Sequence, residues 1–170
     1  MLKHLICMAL ALSAVQAGAV CNDFLNASAP ADRFVLEEAT AVDLYTGLRW
    51  ARCAAGYDWA GGACTRNTQL AESFDWQSAL QYSTAATYAG EAGWRLPNKN
   101  ELDSLVERKC EQPAINGEVF PGTDSVNFWT NSMVPHNVGR AWSINFGRGD
   151  HNTTTRDTEL GVRLVKDAQP

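Results

Sequence analysis

Gly93-Trp94-Arg95-Leu96-Pro97-Asn98-Lys99-Asn100-Glu101-Leu102 lies near the middle of a 170-residue chain, and its reading decides the fold. Asn98 and Glu101 have the spacing of a capping box, with Asn in place of Ser or Thr. Pro97 precedes the cap, where no helical hydrogen bond exists to be lost, so it fixes the direction of entry without cost. Leu102, Leu105 and Val106 then form the apolar face of a helix reaching Arg108 or Lys109. Trp94 and Leu96 read as core anchors. Arg95, like Arg163 further on, is expected to pair with a carboxylate such as Glu101 or Asp103.

Upstream, Asp75 caps a second predicted helix from Trp76 to Tyr88. Trp76, Ala79, Leu80 and Ser83 share one stripe, and Gly90 and Gly93 end it. Residues 53–70 read as a disulfide loop followed by a polar stretch. Val42 to Trp50 reads as a hairpin turning at Thr46-Gly47, and Arg33 to Glu37 as a strand. Residues 20–32 are a polar, Pro-containing arm.

Downstream, residues 110–124 form a loop that tucks in Ile115, Val119 and Phe120. Strands follow at 127–132 and 140–146, the second alternating cleanly between Ala141, Ser143, Asn145 and Trp142, Ile144, Phe146. Gly147 to Asp150 is a turn, His151 to Arg156 a polar strand, and Leu160 to Val165 a terminal strand. Helices in the middle with strands around them imply an α+β domain rather than a parallel βαβ fold.

The first 19 residues have the pattern of a secretory leader: Lys3 and His4, an apolar run from Leu5 to Val15, and the small-residue site Ala17-Gly18-Ala19. The run is too short to span a bilayer. The organisation expected is therefore a leader at 1–19 cleaved near Ala19, an arm and first strand at 20–39, and a domain at 40–167. The expected location is periplasmic or secreted, with no membrane insertion of the mature chain. Without Lys3 the chain has 13 basic and 19 acidic residues, a formal charge of −6. An acidic domain gains little from counterion release, which excludes nucleic acid as a natural partner. Six Trp predict a core rich in aromatic contacts.

Four cysteines remain after the leader, and an even number in an exported chain reads as two disulfides with three alternative pairings. Gly56, Gly61 and Gly62 make the segment between Cys53 and Cys64 able to close locally. The pairing expected is Cys53–Cys64 and Cys21–Cys110. No two cysteines have the close spacing of zinc-ligand pairs.

Taken together, Thr46-Gly47-Leu48-Arg49-Trp50, Trp76-x-x-Ala79-Leu80, Trp94-Arg95-Leu96-Pro97-Asn98-x-x-Glu101-Leu102, Phe128-Trp129-Thr130-Asn131-Ser132, Ala141 to Gly147 and Val162-Arg163-Leu164-Val165 form an ordered set. That order and spacing resembles the Lcl C-terminal domain family of bacterial exported proteins, over roughly residues 40–166. The resemblance implies a C-type-lectin-like fold in the broad sense, which includes formylglycine-generating enzymes with a similar Arg-Leu-Pro-x-x-x-Glu helix start. It implies two helices on a small, twisted, mostly antiparallel sheet. The founding member uses the domain as an adhesin module for sulfated glycans. No residue motif defines that activity, so no binding residue carries over.

Enzyme signatures are sparse. His136 and His151 are the histidines outside the leader, and no His-Glu-x-x-His, Gly-x-Ser-x-Gly or Cys-x-x-Cys is present. The formylglycine enzymes use a Cys pair late in the chain, and no Cys follows Cys110. Lectin calcium triplets have only partial echoes here. Asp124, Asn127, Asp150, Asn152, Asp157 and Glu159 would be the donors of a calcium site, but they read more simply as solvated turn residues, so no cofactor is expected. Arg148-Gly149-Asp150 matches an integrin-recognition tripeptide and reads as a turn. Trp142 and Trp94 read first as core.

The expectation is an exported, non-enzymatic binding module for a surface glycan or an envelope protein, with adhesion as one use. Polar loops at 122–138 and 147–159 would form the binding face. The candidate ligand-binding residues are Trp129, Asn131, His136, Arg148, Asp150, His151 and Asn152. The alternatives are a structural or assembly component of the envelope and, more weakly, a divergent formylglycine-type enzyme. The sequence leaves the oligomeric state open.

Overall fold

The computed structural model describes residues 19–168, so the expected leader lies outside the described residues but for Ala19. In chain order the strands are β1 Val20–Cys21, β2 Phe34–Glu37, β3 Thr40–Asp43, β4 Leu48–Ala51, β5 Tyr57–Ala60, β6 Ala63–Arg66, β7 Ser73–Phe74, β8 Cys110–Glu111, β9 Asn127–Val134, β10 Asn137–Asn145, β11 Asp150–Thr155, β12 Leu160–Gly161 and β13 Val165–Asp167. The helices are α1 Trp76–Ala85 and α2 Lys99–Asp103. They sit among a five-stranded sheet, β11-β10-β9-β12-β7, a four-stranded sheet, β13-β4-β3-β2, and two ribbons, β1–β8 and β5–β6. Every pairing is antiparallel except β12 with β9. The chain is a small, mostly β α+β domain with two disulfides, Cys21–Cys110 and Cys53–Cys64, the pairing expected.

The Gly93–Leu102 stretch joins the two large sheets. Arg95 exchanges both backbone hydrogen bonds with Val165 of β13. Two residues on, Pro97 O accepts from Asn131 N and Leu96 O from Asn131 Nδ2, both on β9. Trp94 and Leu96 are buried in between, and the Trp94 indole N–H donates to Glu91 O. The capping box is complete: Asn98 Oδ1 accepts from Glu101 N at 2.9 Å, and Glu101 Oε2 accepts from Asn98 N at 2.7 Å. Arg95 grips Glu101 at 2.8 and 2.9 Å, as expected.

Both helices are shorter than their sequence patterns. α2 ends at Asp103, because the Ser104 carbonyl is taken by the buried Arg33. Leu105 and Val106 reach the core from the turns that follow. α1 stops at Ala85, well before the glycines expected to end it. The Tyr88 hydroxyl is drawn inward, donating to Ala39 O and accepting from Cys53 N, and no helix could keep it there. Residues 53–70 are not merely a loop; they contain the β5–β6 hairpin.

The expected terminal strand is split between the sheets, with Arg163 at the crossing. Arg163 is fully buried and, contrary to expectation, has no carboxylate partner among the described residues. Its guanidinium donates to Ala51 O, Arg52 O and Thr123 Oγ1 at 2.7–2.8 Å. Burial pushes its pKa down to about 10.

Four of the six Trp are buried: Trp50, Trp76, Trp94 and Trp129. Trp142 corrects the core expectation. It is half-buried on β10, with Lys99 Nζ 4.4 Å from its ring centre. Its sheet neighbours Ala141 and Ser143, on the opposite face, are the fully buried ones.

Candidate functional site

A cleft of about 240 Å³ opens where β7, β9 and β12 meet the β5–β6 hairpin and the loop before β9. Its floor is apolar, from Phe128, Val126, Leu160 and Ala55. Gly161 makes the floor possible: a Cβ there would lie 2.9 Å from Phe128 Cε1, so any larger residue would displace the ring. The rim is polar. Tyr57 Oη donates to Asp124 Oδ2 at 3.3 Å, and Ser73 Oγ to Glu159 Oε2 at 3.0 Å. Glu72 faces the same space and is paired with Arg66. Partial burial and then the Asp124 charge raise the Tyr57 pKa above its ordinary value of 10.0, so the phenol stays protonated as a donor.

An apolar floor with a few convergent polar groups is the usual make-up of a small-ligand site. The dimensions suit one ring-sized group. Asp124, Asn127 and Glu159, weighed above as oxygen donors, do meet here. Among the described residues, no group of three or more His, Cys, Asp or Glu is arranged to hold a metal ion.

The seven candidate binding residues are not gathered in one place. Trp129 is removed from the surface altogether: it is fully buried, and its indole N–H donates to Phe74 O. Asn131 is exposed but spends its amide on Leu96 O. His136 stands exposed in the β9–β10 turn, at φ 60°. Arg148 and Asp150 are exposed at the β10–β11 turn, which lies at the other end of the same sheet. His151 Nε2 is 2.6 Å from Asp103 Oδ1, beside Arg108. Asn152 Nδ2 donates to Asn127 Oδ1 at 3.0 Å and so lies next to the cleft without lining it. The two predicted loop segments therefore fall at both ends of the sheet rather than on one face.

Tyr57 went unnoticed in the sequence because it sits in the stretch 53–70 read as disulfide loop and polar tail, and Glu72 and Ser73 because they fall between that stretch and the Asp75 cap. The signal was present: Tyr57-Asp58-Trp59-Ala60 and Ala63 flank Gly61-Gly62, which is a hairpin pattern.

The fold and cleft define a small disulfide-stapled α+β domain with a recessed, polar-rimmed site. The chain belongs to the Lcl C-terminal domain family, which matches residues 39–166. No curated protein matches it. Its two disulfides are compatible with an extracellular or periplasmic protein. No helix among the described residues is long and apolar enough to cross a membrane.

Proposed function

We propose that the chain is an exported, non-enzymatic binding module of C-type-lectin-like fold. It recognises a surface glycan or an envelope protein through the cleft at Tyr57, Asp124 and Phe128. The observation that carries this reading is the cleft itself: an apolar floor, a fixed aromatic hydroxyl and two hydrogen-bonded carboxylates in a recess of about 240 Å³. Sugar rings present this same combination of apolar face and hydroxyl edge. The test is a glycan array probed with the mature domain, followed by calorimetry on the best ligand. Asp124→Ala and Phe128→Leu should each weaken binding by tenfold or more, roughly 1.4 kcal/mol. Equal affinity in both variants would remove the cleft from the reading.

A second reading, an assembly component of the envelope, draws on a different observation. Val35, Leu36, Leu44 and Tyr45 are 42–79% exposed on edge strand β2 and the turn after β3. Stoichiometric co-purification of an envelope protein, lost on Tyr45→Ser, would favour it over a free lectin.

A further inference from the structure

We infer that the Cys53–Cys64 disulfide is a binding-site crosslink: it holds the β5–β6 hairpin so that Tyr57 stays at the cleft rim, and its reduction opens the cleft while both large sheets stay folded. This inference rests on the cleft being the binding site.

The hairpin belongs to neither large sheet. None of residues 57–66 enters either buried hydrophobic cluster. A two-stranded ribbon of this kind has marginal stability alone. Its non-covalent ties to its surroundings include the Tyr57–Asp124 hydrogen bond, the Arg66–Glu72 pair, Arg66 Nη1 donating to Leu70 O, Tyr57 N donating to Ala54 O, and the Arg52 guanidinium 4.0 Å from the Trp59 ring centre. Most of these meet water and are individually weak.

The disulfide differs from them in where it lands. Cys53 is buried two residues after β4, and Cys64 lies within β6. Cys64 Cβ lies 3.7 Å from the position a Cβ on Gly122 would take. The bond therefore seats the hairpin against residues 122–124, the segment that delivers Asp124 to the rim. Trp59 pairs with Cys64 across the ribbon, and Tyr57 lies two residues further on. The other disulfide, Cys21–Cys110, ties the arm to β8, and none of its residues lines this cleft.

Reduction by a dithiol is balanced without any further reactant. The S–S bond breaks, Cys53 and Cys64 each take an electron and a proton to become thiols, and the reductant closes its own disulfide.

Hydrogen exchange read by mass spectrometry on the mature chain tests this without a ligand. In Cys53→Ser/Cys64→Ser, peptides spanning 55–72 should lose protection by about tenfold or more, while those of β9, β10 and α1 keep theirs. Cys21→Ser/Cys110→Ser should loosen the arm and leave 55–72 protected. Unchanged exchange at 55–72, or loss of protection across the whole chain, overturns the proposal. So does equal loosening of 55–72 in the second variant. A blank glycan array would sink the binding reading and leave the exchange result standing. A glycan that bound the Cys53→Ser/Cys64→Ser variant as tightly as the parent would sink the crosslink proposal alone.

Discussion

Arg95 and Glu101 form a two-point fork, with both guanidinium nitrogens on both carboxylate oxygens at 2.8 and 2.9 Å, and the same carboxylate also accepts the Asn98 backbone N–H. One side chain therefore starts α2 and fastens it to the strand-like segment paired with β13. Arg95→Ala should destabilise the domain by about 1 kcal/mol, a modest figure because the fork is partly solvated. Asn98→Ala should cost a similar amount, about 1 kcal/mol. The two effects should not add, because they act on one network. Urea midpoints for the two single variants and the double variant check this.

Arg163 should be far less forgiving. Its removal strands two buried carbonyls and the Thr123 hydroxyl, each costing about 1–3 kcal/mol. Arg163→Met is expected to lose about 3 kcal/mol or more, or not to fold at all. Arg163→Lys should not restore stability, since an ammonium cannot span three acceptors in a plane. Thermal melts of the two variants would show a comparable loss.

Acid should unfold the domain through a small set of carboxylates. Burial would raise the pKa values of Asp43, Glu101 and Glu107, but hydrogen bonds outweigh it and hold all three below their ordinary values. For Asp43 the donors are Arg33, Thr46 and Tyr45; for Glu101, Arg95 and Asn98; for Glu107, Ser28, Ala29 and Lys109. A lowered folded pKa adds stability that is complete above the unfolded value and is lost as pH falls through the folded one. The melting temperature should therefore be level near neutrality and drop below the ordinary values of 3.8 and 4.5. Glu107→Gln should be less stable at pH 7 and show a shallower acid limb.

Arg140 guards an edge. β11 is the outer strand of its sheet, and the register places the Thr153 carbonyl on the side facing away from β10. Arg140 donates to that carbonyl and to Thr153 Oγ1. The next outward carbonyl, Thr155 O, accepts from Thr158 N. An uncapped edge is a template for another chain. Arg140→Ala should change unfolding free energy by less than about 0.5 kcal/mol yet raise concentration-dependent association, read by light scattering.

Local signals were the legible ones. The capping box, the Thr46-Gly47 turn, the alternating strand at 140–146 and the disulfide pairing all depend on neighbours in the chain or on simple closure. What the sequence hid were long-range rivals to local preference. Tyr88 leaves its helix for Ala39 and Cys53. Arg33 is buried against Asp43 and stops α2 at Ser104. Trp129 and Trp142 show the same limit. Trp129 lies in a run where Phe128, Trp129 and Thr130 are all buried, and Trp142 lies in an alternating strand, so neither pattern says which one meets water. The cleft was half-legible: Asp124, Asn127 and Glu159 were noticed, but their partner Tyr57 sits on a hairpin some 67 residues from Asp124.

The split at Arg163 also makes the last strands common to both large sheets. β12 bridges β9 and β7 in one sheet, and β13 is the outer strand of the other. A chain that stops before Leu160 lacks a strand in both, and lacks the cation that gathers Ala51, Arg52 and Thr123. Truncation before Leu160 should therefore cost both large sheets their order together rather than one alone.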